Sequence, residues 1–242
     1  MRPSRITFTG IDPSCSRAEL FALLNANRRI ELGILYSESQ QGKGRYPPFA
    51  WIERTTREIT DAYGTGRVAL HVCGRARDSL LKGNGLAIDV WPFDRIQLNG
   101  TFVGGDIDAL QRYIVDGEPE PLITQFDANR GLHEIVRRKC HQVLFDSSGG
   151  RGVLRKEWPK ALPDNICGYA GGLGPENLRV ELPRIAAVAG PNYWVDMEGS
   201  LRDEADHFCV GKARRALDAI LAAESSAVDA ASVTGQAPRT AP

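Results

Sequence analysis

The sequence predicts a single-domain (β/α)8 barrel, or TIM barrel, that spans residues 1–223. Strand-like and helical segments alternate along the chain, and such alternation is typical of a parallel sheet built from right-handed crossovers. Eight strand-like segments fall within about 220 residues, which is the count and size of this fold. The chain of 242 residues is 42% hydrophobic, so it carries enough apolar side chains for a sizeable core.

The strand-like segments are short, and several are rich in the apolar residues that favour strands buried beneath helices. The segments are Ile6–Thr9, Leu32–Ser37, Val68–Cys73, Arg95–Asn99, Leu122–Phe126, Val143–Asp146, Ile166–Ala170 and Trp194–Met197. Residues 150–163 are rich in Gly and Pro, so the crossover after the sixth strand is the weakest helical unit.

Helical patterns fill the intervals between the strands. The first helix is capped by Ser16, with Glu19 at the capping-box position, and runs through Leu24. The others are Pro48–Tyr63, Arg75–Leu81, Asp106–Val115, Asn129–Lys139, Pro175–Val188 and Asp203–Ala223. Pro175 suits the first position of its helix. Residues 224–242 are low in bulky side chains, and we expect a disordered tail there.

Charge and cysteine content narrow the classes of partner. Lys+Arg and Asp+Glu both total 30, and this zero net charge argues against nucleic-acid or membrane-surface binding. No apolar run reaches the roughly 18 residues of a membrane span, and the N-terminal segment lacks the apolar core of a signal peptide. The 5 cysteines are scattered without metal-binding spacing, so we expect reduced thiols, a cytoplasmic location and neither metal nor cofactor. His133 and His141 have no ligand-like neighbours and are interpreted as surface residues.

The segment from Val143 to Gly152 is the most informative part of the chain. Its Val-Leu-Phe run favours a buried strand, and Asp146 follows directly. The carboxyl ends of barrel strands are where ligands bind. The glycine-rich turn that follows lets the backbone approach a ligand, and its N–H groups suit an anion. The alternative is that Asp146 caps an ordinary turn, since Asp and Gly are common in loops.

Polar side chains also stand at or after the other strand ends. They are Thr7, Thr9, Arg45, His71, Cys73, Gln97, Asn99, Gln125, Asp196 and Glu198. Residues two apart share one face of a strand, so Thr7 and Thr9 face the same way. Arg45 lies in the loop 38–47. This loop is long and polar, so we expect it to be unpacked and to form a mobile part of the active site.

Two turns in the last part of the chain have the composition of phosphate sites. One leaves the seventh strand through Gly171 and Gly172, and the other follows the eighth strand at Gly199 and Ser200. The loops after strands 7 and 8 often hold phosphate in barrels, through backbone N–H groups. The sequence therefore predicts a phosphorylated small molecule as the ligand, although glycines that only make tight turns explain either loop taken alone.

Five motifs occur in an order and spacing that together are far more specific than any one. They are Gly44-Arg45-Tyr46, Gln97-Leu98-Asn99-Gly100, Val143–Gly152 with Trp158, Ala170–Asn177, and Val195-Asp196 followed by Gly199. From about Ile6 to Ile220, the chain thereby resembles the phosphoribosylanthranilate isomerases of tryptophan biosynthesis, which are (β/α)8 barrels. The resemblance implies an Amadori rearrangement, in which an aminoaldose phosphate becomes an aminoketose.

The resemblance also implies roles for individual residues. Asp146 would be the general acid, and Arg45 would contact the anthranilate carboxylate through its planar guanidinium. Asp196 would line the pocket near the sugar. Gln97 and Asn99 would bind the substrate. Its phosphate would be bound by Gly171, Gly172, Gly199 and Ser200.

The first strand departs from the family pattern. Thr9 stands where the resemblance places a cysteine that acts as general base, and a hydroxyl is a far weaker base than a thiolate. Cys73 and Glu198 are the best placed by strand parity to replace it, and Asp12 and Cys15 lie in the first loop. Cys73 also fits a small buried apolar position.

Three hypotheses therefore remain open. In the first, another residue acts as the base of a phosphoribosylanthranilate isomerase-like enzyme. In the second, the barrel is an isomerase or lyase that acts on a different phosphosugar. In the third, it has lost catalysis and binds a phosphorylated ligand. All three remain open because no residue in the sequence is a clear general base.

Overall fold

The chain folds into a closed eight-stranded parallel barrel, which confirms the predicted single-domain (β/α)8 architecture. The computed structural model describes residues 1–103, 105–116, 121–135, 141–148 and 151–234. The strands, which pair in sequential order, are β1 Arg5–Thr9, β2 Ile30–Tyr36, β3 Val68–Val72, β4 Arg95–Leu98, β5 Leu122–Gln125, β6 His141–Phe145, β7 Cys167–Tyr169 and β8 Trp194–Met197. Apolar side chains between the strands and the helices form the main core.

The helices cover the outside of the barrel. They are α1 Arg17–Ala26, α2 Phe49–Tyr63, α3 Arg75–Leu81, α4 Gly105–Asp116, α5 Leu132–Ile135, α6 Leu178–Ala186 and α7 Val210–Thr234, with a short 3-10 helix at Gly199–Leu201. The capping box at the start of α1 is confirmed, because Ser16 Oγ accepts the Glu19 N–H and Glu19 accepts the Ser16 N–H at 2.9 Å. No helix in the described ranges combines the length and the apolar character needed to cross a bilayer.

Helices α6 and α7 begin later than the sequence predicts. Asn177 bonds back to the glycine turn through Gly172 O at 2.8 Å and Gly174 N at 3.0 Å. Pro175 therefore lies in a turn, and α6 begins at Leu178. In the last unit the Asp203 carboxylate accepts backbone N–H groups of the following residues, so a turn precedes the start of α7.

Helix bounds also differ toward the ends of two predicted segments. Helix α7 runs to Thr234, so residues 224–234, which were expected to belong to the disordered tail, are helical. The rest of the expected tail, 235–242, lies outside the described residues. Helix α5 covers only part of the predicted Asn129–Lys139, and residues 136–140 also lie outside the described ranges.

His141 is buried rather than at the surface, which corrects its interpretation from the sequence. It begins β6, and its Nε2 lies 2.8 Å from the Thr124 hydroxyl of β5. A polar side chain on a barrel strand can be buried when a neighbouring strand supplies its partner. His141 can therefore occupy a buried position on the strand, because its imidazole has a hydrogen-bond partner there.

The barrel closes at a seam where β1 pairs with both β2 and β8. At the end of β1, Thr9 lies opposite Gly33 of β2. A Cβ at Gly33 would lie 2.3 Å from Thr9 Oγ1. Position 33 therefore has no room for a side chain, because the Thr9 hydroxyl fills the space.

A polar network, here called the floor network, occupies the barrel interior near the N-terminal ends of the strands. It consists of Arg5, Thr7, Glu31, Arg95 and Gln142. Glu31 is completely buried and forms ion pairs with Arg5 and Arg95. Burial alone would raise the pKa of Glu31, but the charges of Arg95 and Arg5 outweigh it and lower the pKa to about 2. Glu31 is thus ionised at all but strongly acidic pH.

Trp194 fills the interior beside the floor network. The Arg95 guanidinium lies 4.5 Å from the centre of the Trp194 ring, a distance at which a cation is attracted to the ring face. Gly168 on β7 leaves space for this ring, since a Cβ there would lie 2.1 Å from it. The interior of this barrel is therefore filled by one large ring and a charged network, rather than by aliphatic layers alone.

Candidate active site

A cavity of about 600 Å³ opens at the carboxyl ends of the strands. This is the end of a barrel at which ligands bind. Among the predicted site residues, those that line it are Arg45, Cys73, Gln97, Asn99, Asp146, Gly171, Gly172, Asp196, Glu198, Gly199 and Ser200. Thr9 is the exception: it is fully buried and is not part of the cavity wall.

Asp146 stands directly after β6, as predicted, and its carboxylate is held by the turn that follows. The Ser148 backbone N–H and hydroxyl donate to its Oδ1 at 3.0 and 2.7 Å. Its Oδ2 lies 3.4 Å from Gln125 Nε2 at the end of β5. Asp146 is only 6% exposed. Because these donors fix the carboxylate orientation, it can present one oxygen to the cavity in a constant direction. Residues 149 and 150 of the glycine turn lie outside the described ranges.

The glycine turn after β7 packs directly against the acid. Gly171 has φ 98°, and a Cβ there would lie 3.2 Å from Asp146 Oδ1. Gly172 has φ 71°, and a Cβ there would lie 2.5 Å from the backbone N of Leu154. Both positions therefore need glycine for conformation and for space. The close approach brings the backbone of this turn beside the carboxylate of Asp146.

The turns after β7 and β8 form one continuous surface. Ser200 Oγ donates to Leu173 O at 2.5 Å. A Cβ at Gly174 would lie 2.5 Å from Ser200 Cβ, so the two turns touch where a side chain would otherwise separate them. Gly199 begins the short 3-10 helix, which turns backbone N–H groups of this segment toward its start. The four residues predicted for phosphate thus lie together in one part of the cavity wall.

A second carboxylate, Asp196 at β8, lies in the same cavity. The Thr9 hydroxyl donates to Asp196 Oδ1 at 2.7 Å. Burial raises the pKa of Asp196 to about 7, although this hydrogen bond and the charge of Arg95 oppose the shift and the charge of Asp146 adds to it. Thr9 therefore contacts Asp196 inside the barrel and does not face the cavity.

His71 on β3 completes the contacts of Thr9. Its Nε2 lies 3.5 Å from Thr9 Oγ1. Burial lowers the pKa of His71 to about 4, so the imidazole is neutral near neutral pH. A neutral imidazole with such a low pKa is a weak base.

Cys73, Gln97 and Asn99 form a hydrogen-bonded group on one side of the cavity. Gln97 Nε2 donates to Asn99 Oδ1 at 2.8 Å, and Asn99 Nδ2 donates to Cys73 Sγ at 3.1 Å. Burial raises the pKa of the Cys73 thiol, while hydrogen bonds from Asn99 and Tyr46 oppose the shift. The thiol therefore yields little thiolate at neutral pH, which disfavours Cys73 as the base.

Arg45 is engaged by two carboxylates at the cavity mouth. It donates from Nη1 to Glu198 at 2.8 Å and, from Nε and Nη2, to both oxygens of Asp206 at 3.0 and 2.9 Å. The loop that carries it forms a bridge between Lys43 and Tyr46. Arg45 thus joins the loop after β2 to the segment after β8, and Glu198 is paired rather than free to act as a base.

Two further candidates for the base lie away from the cavity. Asp12 forms a buried ion pair with Arg202 at 2.8 Å and accepts the Phe208 N–H at 2.9 Å. Burial alone would raise the pKa of Asp12, but bonds from Ser14 and Phe208 and the charge of Arg202 lower it. Cys15 packs into the core, and burial raises its pKa to about 11. Both residues anchor the first loop instead of reaching a ligand.

Sequence reasoning missed three residues that shape the site. Ser148 could have been found from the Asp-x-Ser spacing, which is typical of a turn in which Asp accepts bonds from the residue two positions later. Tyr46 lines the cavity and contacts Cys73. Asp206 pairs with Arg45 across 161 positions of sequence. No local pattern signals a partner at that separation.

A (β/α)8 barrel with three carboxylates and two joined glycine turns at the strand ends is the class of protein that these observations define. Solved structures with a similar fold include TrpF from Jonesia denitrificans, with a TM-score of 0.60 and 13% identity over 91% of this chain and 98% of that one. Phosphoribosyl anthranilate isomerase from Thermus thermophilus has a TM-score of 0.56 and 20% identity, over 91% of this chain and 99% of that one.

A third similar structure is a phosphoribosyl anthranilate isomerase in complex with reduced 1-(o-carboxyphenylamino)-1-deoxyribulose 5-phosphate. Its TM-score is 0.57 and its identity 12%, over 92% of this chain and 100% of that one. No family model matches the sequence, and no curated protein matches it. At identities this low, the similarity establishes the fold and leaves the activity to be argued from the site.

Proposed function

We propose that this chain is an aldose–ketose isomerase that performs an Amadori rearrangement on a phosphorylated ribosylamine, with Asp146 as general acid. The observation that carries the proposal is the contact between Asp146 and the glycine turn after β7, where a Cβ at Gly171 would lie 3.2 Å from the carboxylate. An acid and a backbone anion site then share one wall of the cavity. The structural similarity to phosphoribosyl anthranilate isomerases supports the same reading.

The first chemical step assigned to Asp146 is the opening of the furanose ring. Protonated Asp146 gives its proton to the ring oxygen, the bond between C1 and that oxygen breaks, and the nitrogen lone pair forms a C1=N double bond. General acid catalysis of this kind contributes roughly 10²–10⁴-fold to the rate. The Ser148 donors and Gln125 hold the carboxyl group in one orientation for this transfer.

The phosphate of the substrate would be bound by the joined turns after β7 and β8. Backbone N–H groups of Gly171, Gly172, Gly199 and Ser200 suit an anion, because oriented amide dipoles attract negative charge without a side-chain cation. The turns are braced by the bond from Ser200 to Leu173. A braced backbone site binds with little loss of conformational freedom.

A second candidate function, isomerisation or cleavage of a different phosphosugar, is favoured by the state of Arg45. Its guanidinium is occupied by Glu198 and Asp206, so a substrate carboxylate must displace one of them. A substrate without that carboxylate would meet no such cost. A lyase that works through a lysine imine is disfavoured, since no lysine is among the described residues that line the cavity.

The test is turnover of phosphoribosylanthranilate, followed by the disappearance of its anthranilate-type fluorescence. A matched substrate, the ribosylamine 5-phosphate made from aniline, lacks only the carboxylate, and its turnover is followed by chromatography. We expect both to be converted to the aminoketose. A marked preference for the aniline compound would move the substrate class to the second candidate.

Loss of turnover has its own meaning. If neither compound is converted at high protein concentration, the isomerase proposal is wrong. Tight binding of either compound by calorimetry, without conversion, would instead identify a binding barrel. Asp61→Asn, an exposed position on α2, is the matched control and should behave as the wild type in every assay.

A further inference from the structure

We propose that Asp196 is the general base of the rearrangement and that Thr9 is its positioning residue. This inference rests on the proposed function. Asp196 lines the cavity, its carboxylate is buried, and the Thr9 hydroxyl donates to its Oδ1 at 2.7 Å. A hydroxyl that donates to one oxygen leaves the other free to accept a proton. The strand-end threonine therefore serves the base rather than being it.

The surroundings of the other candidates disfavour each of them as the base. Glu198 is paired with Arg45 at the mouth, and Thr9 is not part of the cavity wall. Cys73 is half-buried, and burial raises the pKa of its thiol, so it supplies little thiolate at neutral pH. Of the described carboxylates that line the cavity, Asp146 is assigned as the acid and Glu198 is paired with Arg45, which leaves Asp196 as the candidate base.

The environment of Asp196 suits a group that must accept and return a proton. Burial raises the pKa of Asp196 to about 7, which places its proton exchange near neutral pH. The charged or titratable groups around it lie on β2, β3 and β4 and directly after β6 and β8: Glu31, His71, Arg95, Asp146 and Glu198. Arg95 is itself bound to Glu31, so its charge is shared with the floor network. The balance leaves a carboxylate that is partly protonated instead of fixed in one state.

The base step follows ring opening and balances without any oxidant or reductant. Asp196 carboxylate takes the proton from C2, the C2–H electron pair forms the C1=C2 bond, and the C1=N electron pair returns to nitrogen. The resulting enolamine then becomes the ketone: C1 takes the proton from Asp196, and the C2 hydroxyl proton passes to Asp146. Both carboxyl groups return to the states in which they began.

The first experiment removes the base and supplies a substitute. In Asp196→Ala, kcat should fall by roughly 10²–10⁴-fold, and added formate should restore part of the rate in proportion to its concentration. Asp61→Ala is the control and should show neither the loss nor the response. Circular dichroism and thermal unfolding verify that each variant is folded. A folded Asp196→Ala variant with a near wild-type rate, or one that formate does not rescue, overturns the assignment.

The second experiment tests the role of Thr9 through the pH profile. Thr9→Val removes the hydrogen bond that stabilises the Asp196 carboxylate, so the acidic limb of kcat/KM should move to higher pH by about one unit. Thr9→Ser keeps the hydroxyl and should keep the wild-type profile. An unchanged profile in Thr9→Val would mean that Thr9 does not act through the base.

The outcomes separate this inference from the proposed function. If the wild type converts neither aminoaldose phosphate, the proposed function fails and the assignment of the base fails with it. If the wild type is active and the Asp196 variants behave as the control does, only the assignment fails. Loss of activity that follows Cys73→Ser but not Asp196→Ala would transfer the base to the thiol.

Discussion

Two buried carboxylates lie inside the same barrel and differ in what surrounds them. Glu31, in the floor network, has two arginines and a threonine as donors, and its pKa is lowered to about 2. Asp196, at the cavity, has one threonine donor, and burial raises its pKa to about 7. Burial is common to both, so the partners decide the outcome. Paired with cations, a buried carboxylate is a fixed charge, whereas without them it can carry a proton.

The largest expected effect separates activity from stability at the cavity. Asp146→Asn removes the proton that opens the ring in the proposed mechanism, so kcat/KM should fall by roughly 10²–10⁴-fold. The amide oxygen can still accept the bonds from Ser148, and the free energy of unfolding should therefore change little. Steady-state kinetics and urea unfolding measure the two quantities. If the variant also loses much of its free energy of unfolding, the role of Asp146 is structural, as that of Glu31 is.

The floor network should respond in the opposite sense. Arg95→Met leaves Glu31 buried beside a single arginine, and breaking a buried pair in this way typically costs about 3–5 kcal/mol. Urea unfolding gives the change. Arg17→Met is the control, because Arg17 pairs with Glu58 at the surface and such pairs are worth about 1 kcal/mol or less. Equal losses from both variants would contradict the distinction between floor and surface pairs.

The two carboxylates should also give opposite dependences of stability on pH. The pKa of Glu31 is lowered from 4.5 to about 2 on folding, so its contribution is complete above about pH 4.5 and is lost as the pH falls toward 2. The pKa of Asp196 is raised from 3.8 to about 7, so the unfolded chain releases this proton more readily. This group therefore reduces stability as the pH rises from about 4 to 7.

Asp196→Asn tests that second dependence directly. Above about pH 7, the free energy of unfolding of the variant should exceed that of the wild type by on the order of 1–3 kcal/mol. The difference should disappear near pH 4. Urea unfolding at several pH values measures it, with Asp61→Asn as the exposed control. A difference of the same size at every pH would show that the change acts through packing alone.

The smallest expected effect concerns the cavity mouth. Asp206→Asn removes one carboxylate from Arg45 and retains a residue that tolerates the positive φ of 60° found at position 206. The freed guanidinium should lower KM for phosphoribosylanthranilate by a few-fold at most, as expected for partly exposed pairs. KM for the aniline analogue should not change. Equal shifts for both substrates would exclude Arg45 as a contact of the carboxylate.

Local sequence patterns were sufficient to predict the barrel and the position of Asp146. The alternation of strands and helices predicted all eight strands, and Asp146 lies at the carboxyl end of β6 as expected from the apolar run before it. The glycine turns could be predicted because their backbone conformations and close contacts require glycine within a few residues. Each of these signals is encoded in short stretches of chain.

The partners of the charged groups could not be predicted in the same way. Glu31 and Arg95 are 64 positions apart, and Arg45 and Asp206 are 161 apart. Their contacts exist only once the barrel has closed, so no local pattern indicates them. The resemblance gave Thr9 the position of a base and Arg45 that of a carboxylate ligand. In the structure, Thr9 donates a hydrogen bond to Asp196, and Arg45 forms ion pairs with Glu198 and Asp206.

The absence of a side chain at Gly33 has a consequence for how this site can change over time. Position 33 and Thr9 share one small volume at the seam of the barrel, with 2.3 Å between a Cβ at 33 and Thr9 Oγ1. Any residue larger than glycine at 33 would push Thr9 away from Asp196 and alter the proton affinity of that carboxylate. Position 33 is not part of the cavity wall, so a substitution there would act on the proposed base through Thr9. Libraries that vary residues 9 and 33 together should reach new catalysts that single substitutions do not.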